Sequence, residues 1–259
     1  MNQIKLFEKE CINRINSYEK NEDLQKATNV FIEKSILAKY SYNFSCLGQP
    51  IIQYPQDIVV MQELIWKVKP DLIIETGIAH GGSLILSASM LTLLDYCDAQ
   101  EKGGRLDPSN MKRRVLGIDI DIRSHNRGAI EAHPMYPHIE MIEGSSIDRD
   151  IVNQVKEFAK DYERILVCLD SNHTHDHVLA ELEVYAPLVS KGSYCVVFDT
   201  VIEDMPEDMF PNRPWGPNNN PKTAVWKYLK THPEFEIDCN IQNKLLITVS
   251  PSGYLKRIA

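Results

Sequence analysis

The chain has 259 residues, 43% of them hydrophobic and 25% charged, which suits one sizeable core in a single α/β domain with extensions and is short for two full domains. A formal net charge of -8 argues against general nucleic-acid binding, and the longest basic cluster, Lys112-Arg113-Arg114, reads as a solvated loop face. No leader opens the sequence and no apolar run approaches bilayer length, so no membrane span and a cytoplasmic location are expected.

In chain order, the first forty residues place Phe7, Cys11, Ile12 and Ile15, then Val30, Phe31, Ile36 and Leu37, at helical spacing. They form an N-terminal helical extension that, with a lead-in loop from Asn43, runs over residues 1–56, and the main domain occupies 57–259. Pro50 and Pro55 forbid a regular helix before Asp57. A helix is expected from Asp57 to Val68, then a buried strand ending at Glu75, a glycine loop, and an apolar helix over Leu84 to Leu94, with Ser83 as its N-cap. Leu94 to Met111 turns polar and reads as an exposed connection. Strands follow at 115–121, 139–146, 164–170 and 193–199, with helices over 148–160 and from about Thr174. The proline-rich stretch Glu203 to Pro221 reads as a functional loop carrying Trp215, which either covers a substrate or pins the loop. Asn220 and Pro221 start a helix through Leu229, and two strands, Phe235 to Cys239 and Lys244 to Val249, end the chain. The six cysteines lack Cys-x-x-Cys spacing and read as small hydrophobes, Cys168 and Cys195 in buried strands.

The pattern is organised around Asp71 to Ser83. Gly77 suits a sharp turn at a strand end, and Gly81-Gly82 suit a close backbone approach to a ligand at a helix N-terminus. The spacing is not the dinucleotide Gly-x-Gly-x-x-Gly, and Glu75 repels pyrophosphate, so a cationic ligand such as S-adenosylmethionine is indicated; a plain turn is the alternative. Asp119, at the end of the next strand, can accept two hydrogen bonds from a ribose or cap a turn. Asp170 and Asp199 end neighbouring strands and together invite a cation. His173, His175 and His177 alternate, but on a helix starting near Thr174 they point apart and do not converge on a metal.

Four segments, Pro50-Ile-Ile-Gln-Tyr-Pro-Gln-Asp57, Ile74-Glu-Thr-Gly-Ile-Ala-His-Gly-Gly-Ser83, Leu169-Asp-Ser-Asn-His173 and Asp199-Thr200, resemble the family named after cephalosporin hydroxylase, which also includes rhamnosyl O-methyltransferases. The resemblance runs from about Tyr42 nearly to the C-terminus. It implies an α/β, Rossmann-like class I methyltransferase fold with a seven-stranded, mostly parallel sheet whose last strand is antiparallel. It further implies S-adenosylmethionine held by Glu75, Gly77, His80, Gly81, Ser83, Asp119, Ser145 and Asp170, with a turn near Ser145 beside the adenine. Asp170 and Asp199 fall on metal-ligand positions of metal-dependent O-methyltransferases, implying Mg2+ with Thr200, and with Glu203 or substrate, completing the site. His173 falls where catechol enzymes place a base, so His173 and Asp170 are the expected catalytic residues. Phe198 stands where the family's namesake has an acid, and Thr200 where catechol enzymes have asparagine.

The expected activity is O-methylation of a sugar hydroxyl, in surface-polysaccharide or glycosylated-metabolite assembly, on a small-molecule or glycan acceptor, by a homo-oligomer. An iron and 2-oxoglutarate hydroxylase is the alternative that the family name suggests; it calls for a His-x-Asp pair on an all-β framework. A catalytically inactive cofactor-binding protein is the third.

Overall fold

A computed structural model describes residues 2–108 and 111–259; within the polar connection expected over Leu94 to Met111, residues 109 and 110 lie outside the described residues. Asn2 and Asn21 cap the first two helices, α1 (Gln3–Tyr18) and α2 (Glu22–Leu37), by accepting backbone N–H bonds from Ile4 and Leu24. No residue of α1 is buried, so Phe7 and Ile12 stay exposed, whereas α2 places Ile32 in the core and joins Ser35 to the Tyr54 hydroxyl at 2.6 Å. The expected lead-in loop contains a short hairpin, β1 (Phe44–Cys46) and β2 (Gln49–Ile51), turning on Leu47 and Gly48 at positive φ. Pro50 is tolerated because a two-stranded ribbon needs no donor on its outer edge.

Helix α3 (Pro55–Val68) starts on a proline at its first turn and buries Val60, Met61, Leu64 and Ile65. It delivers the chain to β3 (Leu72–Thr76), buried at every position, after which α4 (Gly82–Glu101) packs its first half on the sheet. Helix α4 continues to Glu101, beyond the expected end at Leu94. The reason is ionic: Asp95 and Asp98 on its polar half pair with Arg113, the Asp98 bond measuring 2.7 Å. Arg113 is therefore buried and not part of a solvated basic face, and its guanidinium holds the Asp98 carboxyl below the usual range.

Next come β4 (Arg114–Asp119), α5 (Ser124–Glu131), β5 (Ile139–Glu143), α6 (Arg149–Ala159), β6 (Ile165–Leu169), α7 (His175–Tyr185) and β7 (Tyr194–Val197). Helix α8 (Pro221–Tyr228) opens on an Asn220 and Thr223 capping box, as the asparagine-proline pair leads one to expect. The tail departs from expectation. After β8 (Phe235–Ile237) the chain forms α9 (Cys239–Leu245), and the last strand is β9 (Tyr254–Arg257), not Lys244 to Val249. A short apolar run does not by itself distinguish strand from a segment tied down otherwise, and here Asp57 accepts the Thr248 hydroxyl and the Val249 N–H.

The main sheet has seven strands in the order β5-β4-β3-β6-β7-β9-β8, with only β9 antiparallel to its neighbours. This mixed α/β sheet is the expected architecture and not the all-β framework of the hydroxylase alternative. Because β3 pairs with both β4 and β6, connections leave it in opposite directions, and the crevice at its carboxyl end is the place where such sheets bind ligands. Two apolar clusters cover the sheet, one with α3 and α4, the other with α6, α7 and α8. No helix among the described residues is long and apolar enough to cross a membrane.

Asp57, on the first turn of α3, is the tie between the two ends of the domain. Burial pushes its carboxyl up to about 6, while Thr248, Val249 and the Tyr254 hydroxyl, the last at 2.8 Å, donate to it. Asp57→Ala leaves these buried donors without an acceptor and is expected to cost about 1–3 kcal/mol; urea unfolding at pH 8 measures it, and a change below 0.5 kcal/mol, roughly that of a neutral surface substitution, rejects the tie.

Candidate active site

The loop after β3 is shaped by what its own chain leaves free. Gly77 takes φ +89°, and a Cβ there would overlap the backbone carbonyl of Asp170; a Cβ on Gly82 would strike the Pro50 carbonyl, and one on Gly81 the Ile130 side chain. These glycines thus admit protein against protein. Gly81 and Gly82 also border an opening beside the loop, so the close ligand approach read from them is compatible with that packing. Ser83 does not cap α4: Gly81 occupies the N-cap position in the left-handed region, and the Ser83 hydroxyl donates to the Glu75 carboxylate.

Asp119 turns its carboxylate to the same loop, accepting the N–H groups of Ile78 at 2.8 Å and Ala79 at 3.3 Å, with the Asp121 N–H at 3.2 Å on its other oxygen. Asn126, on α5, clamps the loop from the far side by donating to the Ala79 carbonyl at 2.8 Å and facing His80 Nδ1 at 3.3 Å. The loop is thereby fixed at three residues before any ligand arrives. Asn126 escaped sequence reading because α5 itself has a short and weakly patterned apolar face.

Three openings border this loop. One, of about 110 Å³, is lined by Gly77, Asp119, Ile120, Ser145, Asn172 and His177. A second, of about 50 Å³, is lined by Gln53, Gly77, His80, Gly81, Ser83 and Asp170. The largest, of about 430 Å³, reaches from Asp170, His173 and Asp199 outward past Tyr54, Phe210 and Trp215 to Lys39 and Arg213. Every expected cofactor-binding residue borders the first two openings except Glu75, which is 5% exposed and lies beneath them against a small internal cavity shared with Asp57 and Asp170. Gln53 borders all but the first of these spaces, and its carbonyl oxygen is buried without a partner. Sequence reading quoted Gln53 without assigning it a role.

Asp170, His173 and Asp199 converge: one ligating atom from each lies within 4.8 Å of the others. Asp170 follows β6 and accepts no hydrogen bond from any described residue; burial, then the charges of Asp199 and Glu75, raise its carboxyl well above the ordinary range. Asp199 follows β7 at φ +55°, an uncommon backbone for a residue with a side chain, and its Oδ2 lies 3.2 Å from His173 Nε2. Thr200, expected as a metal ligand, is fully buried and donates its hydroxyl to the Pro251 carbonyl at 2.7 Å, so His173 stands in the cluster in its stead. Glu203 is likewise engaged elsewhere, accepting the Asn218 N–H at 2.8 Å and the Asn220 amide. The three histidines point apart: His173 to the acids, His175 to Thr223 at 2.8 Å, His177 to Ser146 at 3.1 Å.

The model of the rhamnosyl O-methyltransferase/CmcI family matches residues 38–258. The chain belongs to that family. A rhamnosyl O-methyltransferase of Mycobacterium tuberculosis is 30% identical over 198 residues, 76% of this chain and 71% of that protein. One from Mycobacterium leprae is 26% identical over 213 residues, 82% of each chain. A CmcI structure described with Mg and S-adenosylmethionine superposes with a TM-score of 0.54 at 17% identity, covering 84% of this chain and 78% of that one. The apo TDP-rhamnose 3'-O-methyltransferase of calicheamicin biosynthesis gives 0.51 at 15% identity, covering 92% and 94%. At these identities the structural likeness is one of fold, the class I methyltransferase fold expected from the sequence. The family's enzyme class, S-adenosylmethionine-dependent O-methyltransferase, is also the class expected.

Within the family fold the buried Glu75 has a measurable signature. Burial lifts its carboxyl from 4.5 to about 7, against the opposing bond from Ser83. The folded state thus binds a proton more tightly than the unfolded chain. Glu75's contribution to stability is complete below pH 4.5 and is lost as pH rises to about 7. Glu75→Gln, which mimics the protonated form, is expected to flatten the fall in melting temperature across that window; an unchanged slope rejects the assignment.

Proposed function

We propose that the chain transfers a methyl group from S-adenosylmethionine to a sugar hydroxyl, with a rhamnose-type deoxysugar as the class of acceptor, in the assembly of a surface polysaccharide or a glycosylated metabolite. The observation that carries this reading is the convergence of Asp170, His173 and Asp199 at the inner end of the 430 Å³ opening, next to the loop after β3. The acceptor named for the 30% identical relative supports the sugar.

The residues present fit a cationic cofactor. Asp170 and Gln53 both border the 50 Å³ opening, with an unbonded carboxylate and an orphaned buried carbonyl oxygen, both acceptors suited to an ammonium and sulfonium ligand. Asp119 and the exposed Ile120 offer the 110 Å³ opening a carboxylate for ribose and an apolar flank for a base. The Asp119 carboxylate also serves the loop, so ribose would share it with the backbone.

The residues also fit a divalent cation. Asp170 and Asp199 would hold it, with the imidazole as a nitrogen ligand, a donor set that suits magnesium or manganese better than the two-histidine set of iron oxygenases. When bound, such an ion supplies Lewis acidity toward the acceptor hydroxyl. His173 also carries the features of a base. Where His173 is not a ligand, Asp199 accepts from its Nε2, leaving the Nδ1 lone pair for a hydroxyl proton, and the edge-on contact with Trp215 at 5.3 Å fixes the ring. Methyl transfer is an in-line displacement, so the work of these residues is alignment and timely proton removal. Trp215, seated on Phe210 at 4.7 Å and beneath Arg213, walls the acceptor opening.

Self-association through the exposed Phe7 and Ile12 of α1 completes the proposal, and light scattering on a chain lacking α1 tests it.

His173→Ala is expected to lower kcat by about a hundredfold or more with cofactor affinity nearly unchanged, the usual scale for loss of a base. Turnover of a nucleotide-linked rhamnose across a Mg2+ titration measures it. Recovery of turnover on raising Mg2+ would instead make His173 a ligand alone. Separately, full activity in thorough chelator together with a fully active Asp199→Asn variant rejects metal assistance.

A further inference from the structure

A further cavity, of about 230 Å³, lies away from the β3 loop, bordered by five separate stretches of chain: α2, residues 201–205, the start of α8, α9 and residues 248–252. Its polar groups are spare. Thr28, on α2, is 8% exposed, and its hydroxyl bonds no described residue. The side-chain amides of Asn29 and Asn243 are likewise unbonded. Gln25 donates its Nε2 to the Tyr18 carbonyl at 3.0 Å, and Gln242 Oε1 accepts the Ser252 N–H at 2.6 Å, which leaves an acceptor on the first amide and a donor on the second. The charges cancel: Lys222, 7% exposed, donates to both oxygens of Asp204 at 2.7 and 2.6 Å, and no other ionised side chain among the described residues borders the cavity. Helix α9 ends at the cavity in a γ-turn on Leu246, at φ +60° and ψ −59°, closed by the Ile247 N–H on the Leu245 carbonyl at 2.6 Å. Such a turn is rare and strained for a residue with a side chain, a feature that gathers at ligand sites.

The chemistry of this lining selects a ligand. An ion finds no unpaired charge to meet, and an apolar molecule would leave the Thr28 hydroxyl and the amides without partners. What fits is a small uncharged molecule with several groups that both donate and accept, on a compact frame whose C–H edges can lie against Met205 and Leu246. A sugar ring has that description. We propose that the cavity is a carbohydrate site, distinct from the reacting end of the 430 Å³ opening, that holds one uncharged sugar ring by its hydroxyls. Walls drawn from so many stretches of chain suit a compact ring and not an extended peptide strand. Val201, which is buried, borders this cavity and the 430 Å³ opening alike, and Ile32 and Ile36, one turn apart on α2, border one each. The site thus lies across Val201 from the opening that holds Asp170, His173 and Asp199.

The experiment is an NMR titration of the full chain, methyl-labelled at isoleucine, leucine, valine and methionine, with methyl α-L-rhamnopyranoside. Ile32, Met205 and Leu246 report on the cavity, and Ile36, Ile52 and Val249 on the 430 Å³ opening. Saturable shifts at the first three are expected, with a dissociation constant in the millimolar range, the scale of a few hydrogen bonds to one small ring. Thr28→Val keeps the shape of the side chain and removes the unbonded hydroxyl. It is expected to leave the melting temperature unchanged or higher and to weaken binding at the cavity by about threefold or more. Asn243→Ala, at a half-buried position of α9, is the second variant and is expected to weaken binding similarly. Tighter binding of free L-rhamnose, titrated alongside, assigns the site to a free sugar; equal or weaker binding assigns it to a unit of a glycan. Shifts confined to the 430 Å³ opening, or no shifts at all, overturn the proposal. So does inorganic phosphate or glycerol that reproduces the cavity shifts at the same concentrations, and so does undiminished affinity in whichever of the two variants folds.

Discussion

The carboxyl ends of β3 and β6 meet so closely that Gly77 rests on the Asp170 carbonyl. That backbone contact sets the position of everything the site uses. It places the β3 loop over the crevice, brings the Asp170 carboxylate beneath it, and leaves no room for a side chain at residue 77. The Asp119 carboxylate and the Asn126 amide then hold the loop from the β4 side, so its N–H groups and carbonyls are committed within the protein. A loop secured this way presents a shaped edge, and binding a ligand there carries little ordering cost.

The electrostatics of the crevice follow from the same convergence. Burial raises the Glu75, Asp57 and Asp170 carboxyls, and the charge of Asp199 adds to the rise at Asp57 and Asp170, with no lysine or arginine among the groups acting on them. Such an accumulation of buried acids is costly by itself and favours a cation among them, whether sulfonium, ammonium or metal. The basic residues that do border the 430 Å³ opening, Lys39 and Arg213, lie at its exposed outer part. The inner part thus attracts positive charge and the rim negative charge.

The long loop between Asp204 and Asn220 owes its order to asparagines. Asn219 donates to the Pro214 carbonyl at 2.8 Å and accepts the His175 N–H at 2.9 Å, while Asn220 reaches Glu203 and the Gly216 carbonyl. These bonds seat the loop on the start of α7, and so bring Trp215 onto His173. Prolines limit the loop's freedom before it folds, and the amides supply the partners its backbone would otherwise lack.

Much of this was legible in the linear sequence. The strand at 72–76 ending in an acid, the glycine turn, the acids closing β4, β6 and β7, and the Asn220-Pro221 helix start are local patterns set by backbone preference and apolar spacing, and they are where expected. What local pattern did not carry was partnership. Helix α4 outran its apolar run because Arg113 neutralises its polar end, the tail from 244 to 249 is tied to Asp57 instead of forming a strand, Gly82 answers Pro50, and Thr200 turns to Pro251 while His173 turns to Asp199. Each of these joins residues distant in sequence or depends on a rotamer chosen by packing. The sequence by itself determined which chemistry-bearing side chains end which strands, because strand periodicity and turn residues are local. Only the tertiary structure decided which of them share a cavity and which are spent holding the loops, because that choice rests on long-range contact and burial.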